Sequence, residues 1–337
     1  MPRQPNAVDF WRGFALITIF IDHIPGLVYA QYTLVNFSIS DAADLFVFLA
    51  GWSLRLMADG GSRGRQMPTR DVMLRLFGRA LELYAAQLLI TMLAIAMLAL
   101  SAIELSNPLL LQWHNAAAVF NDPVPTHIGL AVLTHQLGYF DILPLYVVLM
   151  LMAPFFTALD RHAPQAVLPL SVALYICVLV FRLTLPTWPV AGTWFFNPLA
   201  WQVIFVLGFV MARADFGVGA WVRRHFGLLR ILALPVVIYF AFAVPFDWLW
   251  DPTDVPAPKL FFLLDKSWAT PVRLFQFLAV VAVGSLLFPY IRALANIAML
   301  RRPVLGLIGL LAMLGRNSLY VFCIGSLLSL TGQIVRF

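Results

Sequence analysis

Nine apolar runs divide this 337-residue chain, at about 11–29, 43–58, 77–101, 138–158, 166–185, 198–213, 229–246, 269–290 and 317–335. A helical residue rises about 1.5 Å and the hydrocarbon core of a bilayer is about 30 Å thick, so runs of ~20 apolar residues are spanning length. In lipid every backbone N–H and C=O must be satisfied within the protein, which makes such runs helices. A soluble domain could not hide this much apolar surface, since 62% of the residues are hydrophobic and only 11% charged. The expected fold class is all-α, a polytopic transmembrane bundle of about nine to ten helices forming one domain over 1–337. The second and sixth runs are short, as tilted or partly buried spans would be. A further apolar piece, Val304 to Leu314, lies between Arg301, Arg302 and Arg316 and reads as a short interfacial helix.

The arginines set the topology. Arg63, Arg65, Arg70, Arg75 and Arg79 follow the second run, Arg161 the fourth, Arg213, Arg223, Arg224 and Arg230 the sixth, and Arg292, Arg301 and Arg302 the eighth. All are even-numbered exits and share one face, which the positive-inside rule makes cytoplasmic. The expectation is a multi-pass protein of the bacterial inner membrane with its N-terminus in the cytoplasm. The net charge of +6 is explained by these loops, and nucleic acid is not an expected partner. Cys177 and Cys323 each lie inside an apolar run, with no CxxC and no histidine cluster at ligand spacing, so neither a disulfide framework nor a metal site is expected. The first run carries Asp22 and His23 and no small-residue cleavage site follows it, so it reads as a retained helix and not a signal peptide.

Ionisable groups inside a membrane are costly and point to function. In the first run, Arg12 and His23 are about 16 Å apart along a helix axis. His23 has two readings: a histidine hydrogen-bonded within the bundle, or a general base that takes a proton from a hydroxyl. Asp22 is adjacent, but neighbouring helical residues point about 100° apart, so a carboxylate from another helix orients the imidazole better. Asp41 and Asp44, at the head of the second run, share one helix face. Capping accounts for one of them; Asp44, a turn deeper, is the preferred support for His23. Arg12 either pairs with Asp9 or guides an anionic cofactor, whose phosphates Arg55, Arg75 and Arg79 could help to hold. Candidate walls of a substrate site are His127, Arg182, Trp201 and Gln202. His135, near the same outer loop as His127, reads as a surface histidine.

The segments DFWRGFALITIFIDHIPG, NFSISDAADLFVFLAGWS, THIGL, DILPLY, WFFNPLAWQVIFVLG, DKSWATPVRLFQFLAV and GRNSLYVFCIG resemble the OpgC-type proteins, which are related to integral membrane acyltransferases with an arginine, ten residues and a histidine in the first helix. Arg12 and His23 match that spacing. The resemblance implies an acyl-CoA-dependent O-acyltransferase that moves an acyl group, succinyl in the best-known members, from cytoplasmic acyl-CoA (succinyl-CoA) to hydroxyls of a periplasmic glucan. It implies His23 as the base, Arg12 beside the acyl-CoA route and Asp44 as the acidic position of the second helix. This chain has Asp44 where many relatives carry Glu, and Ala50-Gly51 where Ser-Gly is common. The resemblance also implies one more helix after the GRNSLYVFCIG span than this chain carries. A transporter or flippase for a polyanion or glycolipid is the competing reading, although no paired Gly/Pro-broken helices mark matching halves.

Overall fold

The computed structural model describes residues 6–59 and 68–336; Arg63 and Arg65 fall outside them. The helices are α1 Ala7–Asp22, α2 Ala42–Ala58, α3 Thr69–Glu104, α4 Ala117–Asn121, α5 Pro123–Ala131, α6 Ile142–His162, α7 Val167–Phe181, α8 Pro198–Met211, α9 Gly217–Arg224, α10 Phe226–Ala243, α11 Pro271–Gly284, α12 Leu287–Leu294, α13 Ala298–Arg316 and α14 Ser318–Arg336. Among the described residues the only strands are Pro186–Thr187 and Gly192–Thr193, paired antiparallel. Seven helices in this part of the chain are long and apolar enough to cross a membrane, and α8 is a shorter apolar one. The protein is an all-α, polytopic helix bundle.

Local chemistry explains several helix ends. Asn6 caps α1 by accepting the Asp9 N–H at 2.8 Å. The first apolar run was read to residue 29, but α1 stops at Asp22, because Pro25 cannot continue a helix and Gly26 takes a positive φ of 70°. Proline opens α5 and α11, where its missing N–H costs nothing. The piece read as interfacial at 304–314 lies within the 19-residue α13, which starts earlier, at Ala298, and buries Ile308, Leu311, Ala312 and Gly315. That apolar stripe packs on α1 through Phe10. The run at 269–290 divides into α11 and α12 at Ser285 and Leu286.

The chain forms two compact units: Met1–Gly61 with Ile204–Phe322, and Ser62–Val203 with Cys323–Phe337. The first unit contains two helix crossings of unusual closeness. A Cβ on Gly13 would overlap the Leu311 carbonyl, and one on Gly315 would overlap that of Asp9. Gly51 meets the Phe205 carbonyl and Gly208 that of Phe48 in the same reciprocal way. Apolar surface provides little drive for association in lipid, so small residues that let backbones touch supply it through dispersion contacts. These contacts fix α1 on α13 and α2 on the Ile204–Met211 part of α8.

In the second unit α3 packs on α6. Contacts within each unit tie together residues far apart in sequence. Arg161 hydrogen-bonds Thr69, and His114 Nε2 lies 2.9 Å from Gln333 Oε1. Arg230 donates to Ser285 Oγ at 2.9 Å, and Lys266 reaches Asp41.

Candidate functional site

α1 ends on His23, its C-cap residue. The imidazole Nδ1 lies 2.5 Å from the Ile19 carbonyl oxygen, one turn back. A carbonyl can only accept, so Nδ1 carries a proton, and when the ring is neutral its basic nitrogen is Nε2. Helix geometry therefore fixes which nitrogen of His23 can act as a base. Eleven residues earlier, about 16 Å along the axis, half-buried Arg12 donates from Nη2 to the Leu49 carbonyl at 3.4 Å.

Three acidic residues converge in the first unit. Asp41 is the N-cap of α2: its Oδ1 accepts the Ala43 N–H at 2.8 Å, and its own N–H donates to Asp44 Oδ2 at 2.9 Å, closing a capping box. Asp44 has no solvent exposure. Arg273, from α11, forks onto it, with Nε 3.2 Å from Oδ1 and Nη2 2.5 Å from Oδ2. Arg273 Nη2 is also 3.1 Å from Asp41 Oδ2, Lys266 Nζ is 2.6 Å from that same oxygen, and Arg273 Nη1 donates to the Ile39 carbonyl. Burial alone would push the Asp41 carboxyl up, but Lys266 and Arg273 outweigh it and hold it well below the usual carboxylate range. One turn on from Arg273, Gln276 donates to Ser38 Oγ at 2.8 Å and accepts the Ser40 N–H at 3.1 Å. The segment Ser38–Asp44 is thus stitched to α11 at five residues: Ser38, Ile39, Ser40, Asp41 and Asp44. Asp22 lies against Thr33 and within electrostatic reach of Asp41 and Lys266, and its Oδ1 is buried without a hydrogen-bond partner among the described residues.

The carboxylate expected to support His23 is therefore gripped by a guanidinium that the sequence reading did not single out. Arg273 sits 229 residues from Asp44, and only its place in an apolar run hinted at a role. Arg55, expected at a cofactor phosphate, is 2% exposed; its Nε donates to the Phe209 carbonyl at 3.3 Å, its guanidinium covers the Phe209 ring at 3.9 Å, and Asp59 lies 3.5 Å away. Its surroundings are protein on every side described.

The remaining candidates belong to the second unit. Arg75 is exposed, and Arg79 bonds Glu82 at 2.6 Å. His127 is exposed, with Nδ1 2.6 Å from the Pro123 carbonyl. Arg182 ends α7 in the left-handed conformation, φ 52°, also exposed. Trp201 and Gln202 have no exposure; Gln202 accepts from Ser171 Oγ at 2.6 Å and donates to the Ser171 carbonyl at 2.9 Å, which makes the pair helix packing. His135 was read as a surface residue, but it is buried, with Nε2 3.2 Å from the Asn115 carbonyl. Burial lowers the pKa of His114 and of His135, and a single hydrogen bond offsets part of each shift. No group of three or more His, Cys, Asp or Glu able to hold a metal ion occurs among the described residues.

The model of one protein family, described as OpgC protein, matches residues 3–336. No curated protein and no solved structure gives a match.

Proposed function

The chain belongs to the OpgC protein family, and from that membership we propose that it moves an acyl group, succinyl, from acyl-CoA on the arginine-rich side of the membrane to a hydroxyl of a periplasmic glucan. The family supports acyl transfer to glucan in general terms; the donor, the acyl group and the sidedness are our reading. The observation that supports it is the contact of His23 Nδ1 with the Ile19 carbonyl, which makes Nε2 the basic nitrogen of the neutral ring. In the proposed reaction a glucan hydroxyl gives its proton to Nε2 as its oxygen bonds to the thioester carbonyl carbon. The tetrahedral intermediate then expels the CoA sulfur, which takes the proton back from the imidazolium, leaving an ester and a thiol. Arg12, about 16 Å along the helix axis, is proposed to hold the donor's phosphates while the acyl end reaches the histidine. The pairing of Asp44 with Arg273 is proposed to position the site by fixing the Ser38–Asp44 segment, in place of a direct bond to the imidazole.

The test is release of free thiol from succinyl-CoA by purified protein supplied with glucan. His23→Ala is expected to slow release by about 10²–10⁴-fold, the range of a lost general base. A full rate from that variant removes His23 from the reaction. Glucan movement across vesicles without thiol release puts a transporter in place of the enzyme.

A further inference from the structure

The first unit contains a cavity of about 740 Å³ bounded by α1, α2, α9, α10 and α11, and neither His23 nor Arg12 lines it. Besides the indoles of Trp11, Trp52 and Trp221, its polar side chains are few: Ser40 and Asp41 at the head of α2, and Arg223 and Ser285 at the other end. The walls between are apolar, with Phe14, Leu45, Leu49 and Leu278 among them. Trp52 stands beside Arg223, whose guanidinium carbon is 5.8 Å from the indole centroid. From Trp52 to Asp41 is eleven residues of α2, about 16 Å, and half of a ~30 Å hydrocarbon core is about 15 Å. The apolar part of the cavity therefore has the length of one leaflet.

The Arg223 end is cationic. Arg223 donates to the carbonyls of Ala212, at 3.0 Å, Arg213 and Gly219, at 3.1 Å, and no carboxylate pairs with it among the described residues. Arg230 donates to Ser285 Oγ at that same end. A ligand with an anionic head and a plain hydrocarbon chain satisfies both parts. A pantetheine arm fits less well, because the apolar walls offer its amide carbonyls and hydroxyl only the indole N–H groups of Trp11, Trp52 and Trp221 and offer its amide N–H groups no side-chain acceptor between the two ends, and each unmet polar group is costly.

We propose that this cavity binds one acyl chain of an anionic glycerophospholipid, with the headgroup phosphate at Arg223 and the chain running towards Leu45. The proposal does not depend on the acyl-transfer reading, although Ser40 and Asp41 border both sites. Lipid held here would brace α2, the helix that begins at Asp41 and Asp44.

Native mass spectrometry of the detergent-purified protein tests this with phosphatidylglycerol and phosphatidylcholine of identical chains. Phosphatidylglycerol adducts should exceed phosphatidylcholine adducts, and Arg223→Gln should weaken phosphatidylglycerol binding about fivefold, the effect of one cation at an anionic lipid. Arg223→Lys should keep most of the preference. Ala282→Trp, which puts a bulky ring into the cavity and leaves the Arg223 contacts in place, should weaken binding of both lipids. Equal binding of the two lipids by the unaltered protein overturns the proposal, as does unchanged binding in Ala282→Trp. Displacement of phosphatidylglycerol by acyl-CoA, one for one, overturns it in favour of a donor site. If Arg223→Gln fails to fold, Arg223→Lys and Ala282→Trp still decide the outcome.

Discussion

Asp44 and Arg273 are both almost without solvent, so neither can lose its partner cheaply. Removing one member of a buried ion pair leaves a bare charge and costs about 3–5 kcal/mol, whereas replacing both is far milder. Asp44→Asn and Arg273→Met should each lower the unfolding midpoint sharply, and the double variant should lose much less than the sum. Additive losses in that cycle would show the pair to be uncoupled. A second expectation concerns His114 and His135, held neutral by burial. Their pKa values are lowered in the fold, so between pH 8 and 7 they should leave stability flat. As pH falls through about 6.5, the unfolded chain gains protons that the fold resists, and stability is lost. Thermal unfolding in detergent across pH 8 to 5 measures this, and a midpoint that rises on acidification would contradict it. Asp41, with a depressed pKa, acts in the same direction but in a separate window, below about pH 4. At this scale the sequence disclosed that His23 and Asp44 needed a reason. It could not disclose Arg273 as the answer for Asp44, because a contact across 229 residues leaves no local periodicity or spacing to read.

At the scale of helices, the apolar runs found the candidate spans other than α13, because lipid and neighbouring helices ask for the same side chains along their whole length. Ends and neighbours were harder. The Pro25-Gly26 stop was visible as residues, yet the hydrophobic run continued past it to Leu27 and Val28, and hydrophobicity was the stronger signal. Val304–Leu314 looked interfacial because its arginines flank a short stretch; in the fold it extends back to Ala298 and takes an apolar face to α1. The two glycine crossings carry a direct test. Gly51→Val should push α2 from the Phe205 backbone and Gly208→Val should do the same at Phe48, each destabilising by about 1–3 kcal/mol or more, as overpacking does. Gly78, with open space where a Cβ would stand, is the control, and Gly78→Ala should be neutral or slightly stabilising on a helix. Equal effects at Gly51, Gly208 and Gly78 would mean that the close contacts carry no weight.

For the molecule as a whole, the match over residues 3–336 makes this chain an OpgC family member, and its helices make it a multi-pass membrane protein. The division into two compact units was not legible, because GGSRGRQMP at 60–68 reads as an ordinary loop and the return at 204 falls inside the apolar α8, where composition does not change. The candidate site shows the same mixture. Residues within one segment, Arg12, His23, Asp41 and Asp44, stood out from the sequence; the partners that hold two of them, Lys266 and Arg273, come from the far end of the chain. The central claim is that His23 drives acyl transfer to glucan, and mass spectrometry of glucans from cells carrying the unaltered protein or His23→Ala tests it most directly. The unaltered protein should add succinyl-sized increments that His23→Ala lacks at equal protein abundance, and identical glucan spectra from the two strains would contradict it.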